Sequence, residues 1–134
     1  MNPINQPPNH ILATIKSVVL VEDDLAIREA LREFLYFYGY EVFEAADGSI
    51  GLQVLRNVRS PGLVLLDLMM PVMTGWEFLA AKSNDPQIAA IPVIVLSAVR
   101  PEEECVGAVA TMSKPIDLDA LLAQIRHYCG SQPD

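Results

Sequence analysis

Three acids in a row, Glu22, Asp23 and Asp24, follow the apolar run Val18–Val21, and a further acid, Asp67, follows the apolar run Leu63–Leu66. A hydroxyl, Ser97, ends the segment Pro92–Leu96, and an amine, Lys114, stands before Pro115 just beyond Val109–Met112. If the ends of these runs meet, carboxylates, an alcohol and an ammonium share one crevice. Carboxylates held close repel one another and either stay protonated or hold a cation. A hard divalent ion with oxygen ligands, Mg2+ above all, relieves that repulsion while keeping several waters. The amine and the hydroxyl opposite suit a tetrahedral dianion better than a neutral ligand. Phosphoryl transfer to a carboxylate uses all of these parts: cation and lysine neutralise the phosphoryl oxygens while Asp67 attacks in line.

For those ends to meet, the apolar runs must be neighbouring strands. Val18–Val21 is short, continuous and mostly β-branched, as in a strand buried on both faces. Asp24–Tyr38 turns helical through Ile27, Leu31, Phe34, Leu35 and Tyr38, with Asp23 or Asp24 as its N-cap and Gly39 as its stop. Glu41–Ala45 reads as a second strand and Gly48–Val58 as a helix that Gly51 weakens. Leu63–Leu66 is a third strand, and Trp76–Lys82 a short helix after the turn residues Pro71, Thr74 and Gly75. Pro92–Leu96 is a fourth strand and Val109–Met112 a weaker fifth. Leu118–Tyr128 closes the chain as a helix with Leu121, Leu122 and Ile125 on one face, capped by Asp117 or Asp119. Such alternation implies an α/β fold, a doubly wound parallel sheet with helices on both faces. Ligands of such sheets sit beyond the carboxyl ends of the strands, where the strand order switches.

The segments VVLVEDD at 18–24, LVLLDLMMPVMTG at 63–75, IPVIVLSA at 91–98 and SKP at 113–115 resemble those of a response-regulator receiver domain, and the resemblance covers about residues 16–130. It implies a five-stranded sheet in the flavodoxin-like order 2-1-3-4-5, with Asp67 as phosphoacceptor. It places the metal-binding acids at Glu22 and Asp23 beside Asp67, a third protein ligand at the Met69 backbone carbonyl, and Mg2+ as the ion. The hydroxyl that moves toward the phosphoryl group falls on Ser97, the amine on Lys114, and the Lys114–Pro115 bond is implied to be cis. The implied phosphodonor is a sensor histidine kinase or a phosphotransfer protein. Two features depart from the family. Thr111 stands three positions before the lysine, where the family carries an aromatic residue, and only 17 positions separate Ser97 from Lys114. The missing length falls on the fourth helix, leaving Pro101–Gly107 to form it, with Val106 and Gly107 weakening even that. The family's usual output surface, made by the fourth helix, fifth strand and fifth helix, is therefore remodelled or output uses another face.

Plainer explanations account for part of the pattern. A single acid after a strand often serves only to cap a helix, which is enough to explain Asp24. A cap needs one acid, so Glu22 and Asp23 call for something more. Ser97 alone would be a structural hydroxyl and Lys114 alone a solvated amine; their companions raise both. Trp76 reads as packing, His10 and His127 lie away from the strand ends, and Glu102–Glu104 reads as a solvated helix start.

The chain has 134 residues, enough for one domain, and 51% of them are hydrophobic. Its net charge of -8 opposes nonspecific binding to nucleic acid and to anionic membranes, and favours a basic protein partner or a cation. Cys105 and Cys129 lack metal-ligand spacing and read as reduced thiols. The N-terminus has neither a charged start nor an apolar run, so a soluble, cytoplasmic protein is expected. Residues 1–15 read as a mobile tail, 16–130 as the receiver and 131–134 as a second tail, with no DNA-binding module after residue 130. Phosphorylation is thus expected to switch protein–protein interactions, or to be relayed onward, without enzymatic turnover. Two alternatives compete: a degenerate receiver that only binds partners, and a Mg2+-dependent phosphohydrolase with an aspartyl nucleophile. The latter needs a second acid two residues after the first, where this chain has Met69.

Overall fold

The computed structural model describes residues 17–98 and 105–129. Strands β1 (Ser17–Val21), β2 (Glu41–Ala45), β3 (Pro61–Asp67), β4 (Val93–Ser97) and β5 (Ala110–Ser113) form one sheet in the order β2-β1-β3-β4-β5. Every pairing is parallel. Helices α1 (Leu25–Phe37), α2 (Gly48–Asn57), α3 (Gly75–Ser83) and α4 (Leu118–Cys129) complete the described elements. This is the flavodoxin-like order the resemblance implies. The chain steps from β1 outward to β2, then returns to the other side of β1 for β3, so the order reverses between β1 and β3.

Side chains alternate across each strand and thereby divide the core in two. Val19, Val21, Val64, Leu66, Val93 and Val95 meet Leu52 and Leu55 of α2 and Phe78 and Leu79 of α3 on one face. Val18, Leu20, Leu63, Leu65, Ile94 and Leu96 meet Leu31 and Leu35 of α1 and Leu121, Leu122 and Ile125 of α4 on the other. Central strands covered on both sides must be apolar throughout, which is why their runs are continuous. The edge strand β5 alternates between half-buried and exposed residues, and its sequence signal is weaker for that reason.

The helix ends are set by side chains. Asp24 caps α1 by accepting from the Ile27 amide (3.1 Å), and Asp117 caps α4 by accepting from the Ala120 amide (3.1 Å). Thr74 and Glu77 form a reciprocal capping box at α3, so that helix begins one residue before Trp76. Gly39, at φ 88°, closes α1 in the left-handed conformation that glycine tolerates. Gly51 is no defect in α2: a Cβ there would stand 2.8 Å from Val21 Cγ2, so its absence lets the helix lie close on β1.

One expectation changes. Of the helix read over Pro101–Gly107, only Cys105–Gly107 is described, and it is not helical. The Ala108 amide bonds the Cys105 carbonyl (3.0 Å) in a turn that carries Gly107 at φ 96°. The short span and left-handed glycine favour a turn over another helical turn. Residues 99–104, the proposed tails, His10 and Glu102–Glu104 lie outside the described residues. No helix among the described residues is long and apolar enough to cross a membrane.

Candidate functional site

The register of the sheet brings the predicted residues together. Val21 pairs with Leu66, so the next residues along, Glu22 and Asp67, leave β1 and β3 side by side. Asp67 pairs with Leu96 across to β4, which puts Ser97 one step beyond it. Ser97 in turn pairs with Ser113, and Lys114 follows directly. The Lys114 amide donates to the Ser97 carbonyl (2.7 Å), and the Lys114–Pro115 bond is cis.

Lys114 then reaches back over the sheet edge. Its Nζ lies 2.7 Å from Glu22 Oε1 and 3.6 Å from Asp67 Oδ1. Glu22, Asp67 and Ser97 are buried, at 1%, 6% and 1% exposure, whereas Asp23 is exposed. One carboxylate oxygen from each of Glu22, Asp23 and Asp67 lies within 4.8 Å of the others. The Asp67 Oδ1 also accepts from the Met69 amide (3.3 Å), which folds the chain back just after β3. Gly75 permits that fold: a Cβ on it would come within 2.9 Å of the Asp67 carbonyl oxygen and 2.7 Å of Leu68 Cα.

Burial pushes the Glu22 carboxyl up to about 7, the nearby Asp67 carboxylate adds to the rise, and the hydrogen bond from Lys114 opposes it. Burial would lower Lys114, but its hydrogen bond and charge contacts with Glu22, and then Asp67, outweigh this and hold it raised. Three acids thus face one ammonium among the described residues, with Asp23 open to solvent. A divalent cation with oxygen ligands fits this donor set, because it supplies the positive charge that Lys114 alone does not.

Nothing in the local sequence marks Arg28 and Glu44 as supports of this site. Arg28 Nη1 donates to the Glu22 carbonyl (2.8 Å) and Arg28 Nε to Glu44 Oε1 (3.2 Å), while Arg32 Nη1 bonds Glu44 Oε2 (3.1 Å). The motif that sequence could have shown is the Thr74–Glu77 capping box, spaced T-x-x-E before an apolar run. Trp76 is half-buried against the core and His127 stacks edge-on with Tyr128.

Known proteins share this fold. The family model for the response regulator receiver domain matches residues 18–126. The transcriptional regulatory protein CrdR of Helicobacter pylori is 35% identical over 123 residues, covering 88% of this chain and 57% of CrdR. The polar-differentiation response regulator DivK of Brucella anthropi is 32% identical over 120 residues, covering 86% of this chain and 97% of DivK. Among solved structures, the chemotaxis protein CheY4 of Vibrio cholerae superposes with a TM-score of 0.78 at 31% identity, covering 85% of this chain and 98% of CheY4. The chain spans about half the length of several longer curated relatives it matches. A model that matches residue 18 through residue 126, on a sheet of the same order, leaves one reading: the chain belongs to the response regulator receiver domain family.

Proposed function

We propose that this receiver accepts a phosphoryl group on Asp67 from the phosphohistidine of a sensor kinase or phosphotransfer protein, and that the modified pole then changes which proteins it binds. The observation that carries the proposal is the placement of Lys114 Nζ 3.6 Å from a buried Asp67 carboxylate, with oxygens of Glu22 and Asp23 within 4.8 Å. In the transfer, an Asp67 oxygen forms a P–O bond as the donor's P–N bond breaks. The donor imidazole leaves with the electron pair and its proton state resets from solvent. Lys114, already between two acids, is positioned to meet the incoming negative charge. Ser97, at the end of the adjacent strand, supplies the hydroxyl. A Mg2+ ion held by Glu22, Asp23, Asp67 and the Met69 carbonyl would supply charge neutralisation for the phosphoryl oxygens.

The receiver unit is proposed as residues 16–130. Acceptance without turnover fits Met69, which stands two residues after Asp67 and has no proton to shuttle. Incubation with a small phosphodonor and MgCl2 tests the reading. It should yield an acid-stable, base-labile adduct by mass spectrometry, absent in Asp67→Asn. An adduct of equal yield in that variant would end the assignment.

A further inference from the structure

Arg28 lies outside the set of residues that touch the reacting carboxylate, yet it grips the segment that carries two of the acids. The geometry points to Arg28, braced by Glu44, as a positioning residue for the cation pocket; the inference rests on the proposed pocket of Glu22, Asp23 and Asp67. The peptide unit that joins Glu22 to Asp23 has its carbonyl held by Arg28 Nη1 at 2.8 Å. The Glu22 amide is held from the other side by the Ala45 carbonyl at 3.0 Å. The Asp24 amide bonds the Glu22 carboxylate at 3.3 Å. With residue 22 fixed at amide, carbonyl and side chain, both acids project from one defined backbone.

Arg28 is itself fixed. Its Nε bonds Glu44 Oε1 at 3.2 Å, and the second oxygen of Glu44 is taken by Arg32 at 3.1 Å. The Arg28 side chain is 16% exposed and that of Glu44 27%, so this pair is partly shielded from solvent, whereas Arg32 at 42% is half in water. The planar guanidinium reaches the carbonyl and the carboxylate at once, which a lysine ammonium cannot do with the same geometry. Outer groups of this kind hold metal ligands in place, and removing one typically costs 10–100-fold in affinity. Arg32 bonds Glu44 but not residue 22, so it separates bracing of the pocket from general loss of an ion pair.

Amide shifts of the full chain, followed by NMR as MgCl2 is added, give the dissociation constant directly, and urea midpoints report folding. Arg28→Ala should weaken Mg2+ binding about tenfold or more. Glu44→Gln should weaken it less, and Arg32→Ala should leave it as in the parent. Arg28→Lys, which retains the charge, should fall between the parent and Arg28→Ala. At saturating MgCl2, Arg28→Ala should still form the Asp67 adduct, because Arg28 does not touch Asp67. Parent-like affinity in both Arg28 variants would overturn the inference, as would an equal loss in Arg32→Ala. A folded parent that shows no Mg2+-dependent shifts would overturn the cation pocket and this inference together, while leaving the adduct test of Asp67 standing on its own.

Discussion

Lys114 bridges two acids at unequal distance, 2.7 Å from Glu22 and 3.6 Å from Asp67. A phosphoryl group on Asp67 carries about 1.5–2 negative charges in place of the single charge of the carboxylate, and sets them on three oxygens at the far end of that bridge. Lys114 and Ser97 can each then gain a charge-assisted hydrogen bond of roughly 1.5–3 kcal/mol. Moving a two-state equilibrium from 1:99 to 99:1 takes about 5.5 kcal/mol, so both bonds together are about sufficient and neither is alone. Ser97 is at 1% exposure, and its hydroxyl comes from the strand next to the one that carries Asp67. On the proposed reading, Ser97→Ala should still accept the phosphoryl group but show a blunted conformational response. Phosphate incorporation measured beside NMR amide shifts checks this, and a full set of shifts in the phosphorylated variant would refute it. Thr111 is exposed on β5, so any further transmission differs from one that swings an aromatic ring inward at that position.

At the scale of elements, close packing and one buried charge set the tolerances. Gly75 starts α3 directly under the Asp67 turn, where a Cβ would meet backbone at 2.7 Å and 2.9 Å. Backbone cannot rotate away as a side-chain tip can, so Gly75→Ala should cost about 1–3 kcal/mol in urea unfolding and shift amides around Asp67. Lys82, on the same helix, is 3% exposed; it donates to the Ala89 carbonyl (2.9 Å) and has no ion-pair partner among the described residues. Burial lowers its pKa from the ordinary 10.5. The folded state then binds that proton less well than the unfolded state, so the charge opposes folding at neutral pH. This opposition is relieved as pH climbs from the lowered value toward 10.5, and stability should gain there. Lys82→Met keeps the apolar stem and should flatten that alkaline limb, with neutral-pH stability within about 1 kcal/mol of the parent or above it. These elements were legible to different degrees, and for physical reasons. A central strand buried on both faces must be apolar until it reaches the crevice, so Glu22, Asp67 and Ser97 marked their own strand ends. β5 lies at an edge and reads faintly. Arg28 could not be picked out, since its partners are a backbone carbonyl six residues back and an acid sixteen residues on. The turn at Cys105–Val109 replaces helix where Gly107 takes a positive φ that the sequence allowed without requiring.

Taken whole, the molecule concentrates its buried acids at one pole of the sheet and closes the other with Tyr40 and Cys129, both buried where α4 meets the α1–β2 corner. The acids that meet at the first pole come from chain positions 22, 23 and 67, which only the folded sheet brings within 4.8 Å. A cation taken by all three therefore binds the native state and not the unfolded chain, and must stabilise folding by mass action. At a hundredfold excess over the dissociation constant the gain is about 2.7 kcal/mol. Nonspecific screening of the net charge of -8 would also raise stability, but any salt supplies that. Asp23 separates the two effects, because it is exposed, forms no capping bond, and leaves the core untouched when changed. The thermal midpoint of the parent chain should rise steadily with MgCl2 and fall back on chelation, beyond the rise given by NaCl of equal ionic strength. Asp23→Asn should keep the NaCl response and lose most of the extra Mg2+ response. Equal Mg2+ responses in the two proteins would mean that the three carboxylates do not act as one site.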